Sequence, residues 1–129
     1  MISPTGKGIR SDAKGDGHYG SSRGGRIHEG SDYECEPGQP VYAPISGHIV
    51  REARPYANEE YSGLVIQGEN MCVKLFYLSP YRGNIGKYVE QGDVIGKAQD
   101  ISMKYGSPMV PHVHLQIEHI NPDIFINML

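Results

Sequence analysis

The stretch that decides the fold reads His112-Val113-His114-Leu115-Gln116-Ile117-Glu118. Side chains of a β-strand point alternately to its two faces. Val113, Leu115 and Ile117 are therefore predicted to point into the core. The opposite face presents four polar side chains: His112, His114, Gln116 and Glu118. A strand that is anchored by one face and carries two histidines on the other is a rigid mount for chemistry.

Short β-type runs precede this strand and are separated by turn residues. They cover residues 39–44, 47–51, 63–67, 71–78, 88–89 and 93–96. Gly68-Glu69-Asn70 is predicted to form a hairpin turn. Short connections favour antiparallel pairing, and no long amphipathic helix is found. The sequence therefore predicts an all-β fold with mostly antiparallel sheets, long loops and little helix.

The composition is typical of a single β-rich domain. A chain of 129 residues can bury one core, and 17 glycines and 9 prolines imply many turns. The nine tyrosines suit the walls of a polar groove, although ordinary strand faces are their commoner place. Cys35 and Cys72 form neither a C-x-x-C pair nor a zinc-ribbon spacing, so one disulfide and two free thiols are both open.

Charge and hydropathy exclude several classes of function. The net charge of -3, the pI near 6.0 and the lack of a Lys/Arg stripe argue against nucleic acid as the main partner. No apolar run is long enough for a membrane span. Residues 1–8 lack the apolar run of a secretory signal, so delivery by another device or excision from a larger envelope protein is expected.

Two histidine-containing segments carry a pattern of zinc ligands. Catalytic zinc sites combine three protein ligands with an open position. The segments are His28-Glu29-Gly30-Ser31-Asp32 and His112-Val113-His114. Gly30 is expected to let the backbone turn so that the His28 and Asp32 side chains converge. The residues alone do not decide which histidine of the second segment touches the metal, and a pair of exposed sheet histidines is the alternative.

Four motifs in this order resemble the lysostaphin-type (LytM-like) zinc endopeptidases. They are residues 26–32, 37–47, 89–96 and 112–114. The resemblance implies a compact barrel-sandwich domain (duplicated hybrid motif) over residues 23–129. The segment before it, residues 1–22, is rich in Gly, Ser, Asp and Arg without periodicity and is predicted to be a flexible or loop-like arm. Residues 41–44 and 72–77 also resemble the leukocyte cell-derived chemotaxin branch, which keeps the zinc ligands and is not established as a peptidase.

The resemblance also implies the roles of individual residues. His28, Asp32 and His114 are expected to bind one Zn²⁺ per chain, with His112 as the catalytic acid/base. This choice between the two late histidines comes from the family and not from their spacing.

Tyr77 departs from the family pattern. Active members carry a second catalytic histidine in a Tyr-x-His-Leu-Ser-like segment, where this chain reads Lys74-Leu75-Phe76-Tyr77-Leu78-Ser79. A tyrosine hydroxyl can donate to a developing oxyanion. With an ordinary pKa of ~10 it is a poor proton acceptor at neutral pH. Tyr77 is therefore the second expected catalytic residue if the position needs a donor, and activity should be weak if it needs a base.

Other polar side chains near the motifs are candidates for orienting the ligands or binding the substrate. Gln116 and Glu118 are expected either to orient the ligand imidazoles or to be solvated. Arg23 and Arg26 are expected either to clamp a substrate carboxylate or to form structural ion pairs. His18 is a candidate for the lining of the groove.

The resemblance to the family implies a monomeric zinc endopeptidase that acts outside the cytoplasm on peptide cross-links of bacterial peptidoglycan. The alternative is a zinc-binding recognition module of the chemotaxin type, weakly active or inactive, which Tyr77 favours. His112 favours the enzyme, because a purely structural zinc site has no need of a non-ligand histidine and is usually closed by four protein ligands. A β-domain without metal is the third reading.

Overall fold

The computed structural model describes residues 1–57 and 60–126, and strands dominate this part of the chain. The strands are β1 (Ser11–Asp12), β2 (Gly15–Asp16), β3 (Ser31–Glu34), β4 (Pro40–Tyr42), β5 (Gly47–Ala53), β6 (Gly63–Gln67), β7 (Met71–Phe76), β8 (Leu78–Pro80), β9 (Tyr88–Val89), β10 (Val94–Ala98) and β11 (His112–Ile120). Helical structure consists of α1 (Ser102–Tyr105) and 3-10 turns at Arg82–Asn84 and Pro122–Phe125. None of these described helices has the length and apolar character to cross a membrane. The prediction of an all-β fold with little helix is confirmed.

The strands form three sheets in which every pairing is antiparallel. The main sheet has the order β3-β11-β7-β6-β5-β9, the second has the order β4-β10-β8, and β1 pairs with β2. The predicted turn at residues 68–70 joins β6 to β7 and is confirmed. Strand β11 lies between β3 and β7, so residues from both neighbours can reach its histidines.

The core lies between the six-stranded and the three-stranded sheet. One cluster of buried apolar side chains joins Val113 and Leu115 of β11 to Leu78 of β8 and Ile95 of β10. None of the four is more than 4% exposed. Full burial of an aliphatic side chain stabilises a fold by roughly 1.5–3 kcal/mol. This layer therefore anchors β11 by its inner face and leaves the outer face to polar residues.

The alternation of β11 ends earlier than the sequence predicts. Ile117 is 44% exposed, so the prediction that it points into the core is wrong. The register of β11 with β7 shifts between Ile117 and His119, and such a bulge changes the direction of the side chains around it. The predicted two-face pattern therefore holds over residues 112–115, which is the part that carries the histidines.

The predicted strand over residues 71–78 is interrupted at Tyr77. Strand β7 ends one residue before it, and β8 begins one residue after it in a different sheet. Tyr77 has a φ of 74°, a left-handed conformation that is uncommon for a bulky residue. Its N–H donates to the Ser62 carbonyl at 2.7 Å, and its carbonyl accepts from the Gln99 N–H at 2.9 Å. The chain therefore crosses from one sheet to the other at Tyr77, and hydrogen bonds to its neighbours hold Tyr77 in an unfavourable backbone conformation.

Residues 1–22 lie against the rest of the chain. The Ile2 N–H donates to the Pro44 carbonyl at 3.1 Å, and the Arg10 N–H donates to the Asp32 carbonyl at 2.8 Å. Arg10 is only 3% exposed. This segment contains only two strands of two residues each. It nevertheless places the buried guanidinium of Arg10 next to Asp32 of the first histidine motif.

The two cysteines are free thiols. Cys35 and Cys72 are 5% and 6% exposed and belong to separate apolar clusters. Of the two arrangements that the sequence left open, the structure has the free thiols.

Candidate active site

Strand register brings Asp32 to His114. The two residues lie directly opposite each other in the antiparallel pairing of β3 with β11. Side chains opposed in this way have Cβ atoms about 4.5–5.5 Å apart. Asp32 Oδ1 lies 2.9 Å from His114 Nδ1, and both residues are buried. Two residues that are 82 positions apart in sequence therefore meet through the backbone pairing of their strands.

Gly30 allows His28 to approach the same point. The ring centroids of His28 and His114 are 5.1 Å apart. A Cβ atom on Gly30 would lie 2.5 Å from the Leu115 carbonyl oxygen and 2.6 Å from ring atoms of His114. Gly30 is not among the glycines with a positive φ. The side chains converge because Gly30 has no Cβ, not because its backbone is unusual.

Three potential ligand atoms form a tight triangle. His28 Nε2 lies 3.2 Å from Asp32 Oδ1 and 3.2 Å from His114 Nδ1, and the third side measures 2.9 Å. Ligand atoms about 2.0–2.1 Å from a tetrahedral zinc ion lie roughly 3.3 Å from one another. The triangle is therefore close to the size that three zinc ligands require, and its donor set of two imidazoles and one carboxylate fits a divalent metal ion.

Both histidines of the triangle have their second nitrogen held by the protein. His28 Nδ1 lies 3.0 Å from the carbonyl oxygen of His18, so an N–H there donates and Nε2 keeps its lone pair. His114 Nε2 lies 3.1 Å from Gln116 Oε1, which leaves the lone pair of Nδ1 inside the triangle. Contacts of this kind fix the tautomer and the orientation of metal-binding histidines.

Gln116 is held in turn by a charged pair. Its Nε2 donates to Glu118 Oε2 at 3.4 Å, and Glu118 forms an ion pair with Lys74 at 2.5 Å. The hydrogen bond from Lys74 lowers the pKa of Glu118. The sequence left open whether Gln116 and Glu118 orient the ligand imidazoles or are solvated. Gln116 contacts His114 directly, whereas Glu118 contacts Gln116 and not the imidazole.

Asp32 is a buried carboxylate that stays ionised. Burial alone would raise its pKa, but the close imidazoles of His114 and His28 hold the pKa well below its usual range. Arg10 Nε donates to Oδ2 at 3.1 Å, and the side chains of both partners are 4% exposed. Asp32 therefore presents a negatively charged Oδ1 to the triangle while Arg10 holds its other oxygen.

His112 lies beside the triangle. Its Nδ1 lies 2.8 Å from the Val110 carbonyl oxygen, so the ring proton is on Nδ1 and the lone pair is on Nε2. Nε2 lies 3.6 Å from Asp32 Oδ2. Burial lowers the pKa of His112, and this effect outweighs the negative charge of Asp32, which would raise the pKa. A neutral imidazole in this position can accept a proton from a neighbouring water molecule.

Tyr77 lies against His112 from another side. The two rings meet edge to face with centroids 5.4 Å apart. Burial raises the pKa of Tyr77 to about 12, so the hydroxyl keeps its proton at neutral pH. The Tyr77 hydroxyl can donate a hydrogen bond in the groove but is a poor base.

A groove of about 460 Å³ runs past these residues. Arg23, Arg26 and Lys14 line it together with the triangle. The Arg23 N–H donates to the Arg26 carbonyl at 2.8 Å, and Arg23 Nη2 donates to the Asp16 carbonyl at 2.8 Å. The lining of the groove therefore combines basic side chains with the acidic Glu29 and Asp32, and Arg23 Nη2 lies 3.9 Å from Asp32 Oδ2.

The sequence did not reveal three residues of the site. Arg10 is a single arginine in a Gly-rich segment, and Tyr56 and Tyr105, which line the groove, lie outside every predicted strand. The high number of tyrosines was the one sign of an aromatic wall. His18 does not line the groove, because its ring is 63% exposed and pairs with Asp16; its carbonyl group contributes instead.

Several known proteins are similar to this chain in sequence. The profile described as Peptidase family M23 matches residues 26–124. Leukocyte cell-derived chemotaxin-2 of Mus musculus is 36% identical over 109 residues, 81% of this chain and 69% of that protein. Lysostaphin of Staphylococcus simulans is 32% identical over 103 residues, which are 79% of this chain and 20% of that protein.

Solved structures show the same fold. The catalytic domain of the antimicrobial peptidase lysostaphin from Staphylococcus simulans is 28% identical, with a TM-score of 0.56 over 86% of this chain and 87% of that one. A longer lysostaphin structure from the same organism has a TM-score of 0.61 at 26% identity, over 95% of this chain and 52% of that one. The matched region contains the triangle, His112 and Tyr77, and the chain belongs to peptidase family M23.

Proposed function

We propose that the protein is a zinc metalloendopeptidase that hydrolyses peptide bonds in the cross-links of bacterial peptidoglycan. The observation that carries the proposal is the triangle of His28, Asp32 and His114 with His112 beside it in a groove. Family membership and the likeness to the catalytic domain of an antimicrobial peptidase support this class of reaction.

His28, Asp32 and His114 would hold one Zn²⁺ per chain. When bound, zinc lowers the pKa of a water molecule and polarises the scissile carbonyl. The charge of Asp32 offsets part of the charge of the ion. In the part of the chain that the structure describes, no fourth His, Cys, Asp or Glu joins this group. Three protein ligands are typical of hydrolytic zinc sites, whereas structural sites have four.

His112 and Tyr77 supply the remaining chemistry of the proposed reaction. Nε2 of His112 accepts the proton of the attacking water and returns it to the amine that leaves. As the carbonyl carbon becomes tetrahedral, its oxygen gains negative charge, and the Tyr77 hydroxyl donates a hydrogen bond to it. The pKa of about 12 keeps Tyr77 in its donor form.

The substrate is proposed to bind along the groove as an extended peptide. Arg23 and Arg26 line the groove near the triangle and would pair with a carboxylate of the peptide. Because cell-wall peptides lie outside the cytoplasm, the protein would act there, as a monomer formed by residues 23–129 with residues 1–22 as an attached arm.

Metal analysis and a cell-wall assay test the proposed function. Protein purified without chelator should contain about one zinc per chain, and His28→Ala, Asp32→Ala and His114→Ala should each lose it. His112→Ala should keep the metal and lose roughly 10²–10⁴-fold in the release of free amino groups from purified cell walls. A His112→Ala variant that releases amino groups as fast as the wild type would falsify the proposed mechanism.

Tyr77 favours a second candidate function, a zinc-binding recognition module of the chemotaxin type with weak or no catalysis. Chemotaxin-2 proteins of Bos taurus and Mus musculus are 33% and 36% identical to this chain, and Tyr77 stands where active peptidases carry histidine. The same assay separates the two functions. If the wild type and His112→Ala both bind zinc and release equally little from several wall types, the recognition module replaces the enzyme.

A further inference from the structure

Three tyrosines of the groove wall form a continuous chain of hydroxyl groups. The Tyr56 hydroxyl lies 3.2 Å from that of Tyr77 and 2.5 Å from that of Tyr105. All three side chains line the groove together with His112. Tyr77 forms the inner end of the chain, against the His112 ring, and Tyr105, which is 42% exposed, forms the outer end.

The number of protons in this chain limits what it can do. Each hydroxyl carries one proton and can accept hydrogen bonds through its oxygen. Two bonds among three hydroxyls use two protons, so the proton of one hydroxyl remains unused. If Tyr105 donates to Tyr56 and Tyr56 donates to Tyr77, the remaining proton is on Tyr77 and is free to point into the groove. Hydrogen bonds that run in one direction along a chain strengthen one another.

We propose that Tyr56 and Tyr105 are positioning residues that orient the Tyr77 hydroxyl and strengthen its hydrogen bond to the oxyanion of the substrate. This role depends on the proposed peptidase function and deepens it. No proton leaves the chain during the reaction, since Tyr77 shares its proton with the carbonyl oxygen but keeps the O–H bond. The half-buried Tyr77, which stands in place of a histidine, is thereby the last donor of a three-residue chain of hydrogen bonds.

The surroundings of the chain keep it protonated and ordered. Burial raises the pKa of Tyr77 to about 12, and burial together with the hydrogen bonds between Tyr56 and its neighbours Tyr105 and Tyr77 raises the pKa of Tyr56 well above its usual range. The rings of Tyr56 and Tyr77 stack with centroids 6.4 Å apart. The Lys104 ammonium lies 4.5 Å from the centroid of the Tyr56 ring, a cation–π contact that holds this face of the ring.

Steady-state kinetics of a double-mutant cycle test the proposal, with a soluble cross-linked muropeptide as substrate and free amino groups as the signal. Tyr56→Phe and Tyr105→Phe should each lower kcat by about five- to tenfold, the effect of losing one hydrogen bond, while KM stays unchanged. In the Tyr77→Phe background neither change should lower kcat further, because both act through the Tyr77 hydroxyl.

Tyr61→Phe is the matched control. Its ring packs edge-on against Tyr77 with centroids 6.1 Å apart, but its hydroxyl donates to the Asp100 carbonyl. Tyr61→Phe should therefore leave kcat near the wild-type value. Phenylalanine keeps the ring packing in all of these variants, and thermal unfolding checks that each one is folded.

Carbon NMR of protein labelled at tyrosine Cζ provides a readout that does not depend on activity. Tyr56→Phe should shift the Cζ signals of both Tyr77 and Tyr105, whereas Tyr61→Phe should shift neither through the hydroxyl chain. Two results would contradict the positioning role of Tyr56 and Tyr105 without contradicting the peptidase function. One is that the losses in kcat add up in the double variants, and the other is that the Tyr77 Cζ signal does not shift in Tyr56→Phe. A wild type that releases no amino groups overturns the proposed function and the oxyanion role with it.

Discussion

Single polar atoms decide what the candidate centre can bind. In His28, Nδ1 donates to a carbonyl group and Nε2 faces the triangle; in His114, Gln116 accepts from Nε2 and Nδ1 faces the triangle. The opposite tautomer of either ring would place an N–H bond inside the triangle and remove a lone pair. The neighbours His18 and Gln116 therefore fix the tautomers that the proposed metal site needs.

Substitutions of Tyr77 test at this scale whether its position supplies a donor or a base. We expect Tyr77→Phe to keep its zinc and to lose about 10²–10³-fold in kcat, the usual cost of one oxyanion donor. Tyr77→His should retain more activity than Tyr77→Phe, because imidazole carries an N–H donor and histidine tolerates the left-handed backbone. Release of amino groups from cell walls provides the rates. A Tyr77→Phe variant with the wild-type rate would assign the hydroxyl no part in catalysis.

Strand β11 combines the core and the site in one element. Its inner face is fixed by Val113 and Leu115 in the core, and its outer face carries His112 and His114. Strand β3 pairs with it on one side and supplies Asp32. Because both strands are held by backbone hydrogen bonds, the relative position of the carboxylate and the imidazoles is set by the sheet and not by flexible loops.

Gly30→Ala tests the close approach of the segment before β3 to β11. The new Cβ would lie within 2.6 Å of the His114 ring and of the Leu115 carbonyl, so β3 or the ring must move, at a cost of about 1–3 kcal/mol. We expect a lower urea midpoint and weaker zinc binding. Gly25→Ala is the control, since a Cβ there meets nothing within 4 Å. Equal zinc affinity in both variants would contradict the steric role of Gly30.

Asp12 connects the N-terminal segment to the residues just before β11, the strand that carries the histidines. It accepts from the Val110 N–H at 2.9 Å, from the Lys14 N–H at 2.7 Å and from Arg10 Nη1 at 3.0 Å. The Val110 carbonyl in turn holds His112. Burial alone would raise the pKa of Asp12, but the two backbone N–H groups and Arg10 bring it below its usual value.

This lowered pKa gives a pH dependence of stability. The carboxylate contributes stability above its unfolded pKa of about 3.9, and the contribution is lost as the pH falls through the lower folded value. We expect Asp12→Asn to lower the free energy of unfolding by about 2 kcal/mol near neutral pH and to differ less from the wild type in acid. Urea denaturation at both pH values measures this, with the exposed Asp123→Asn as control. A difference that grows in acid would contradict the assignment.

At the scale of the whole molecule, the cysteines report on global opening. Cys35 and Cys72 are buried in two different clusters, and burial raises the pKa of Cys35 to about 12 and also raises that of Cys72. Near pH 8 the thiolate fraction of Cys35 is therefore about 10³-fold below that of an ordinary thiol. We expect slow alkylation by iodoacetamide in buffer and rapid labelling of both thiols in urea without reductant. Labelling of fewer than two thiols in urea would indicate a disulfide.

The sequence by itself determined the strand character of the chain, the turn at residues 68–70 and the common face of His112 and His114. These features depend on alternation and turn chemistry, which are properties of neighbouring residues. The motifs around the histidines also carried the resemblance to the family to which residues 26–124 belong. The exposure of Ile117 could not be predicted from alternation, because a bulge depends on the pairing partner and leaves no local signal in the sequence.

Only the tertiary structure decided which residues surround these histidines. The Arg10–Asp32, Tyr56–Tyr105 and Asp32–His114 contacts join residues that are 22, 49 and 82 positions apart. No periodicity links such positions, and their meeting depends on the register of β3 on β11 and on the missing side chain of Gly30. Pairings of this kind follow from how complete elements pack together, so a reading of local patterns could not supply them.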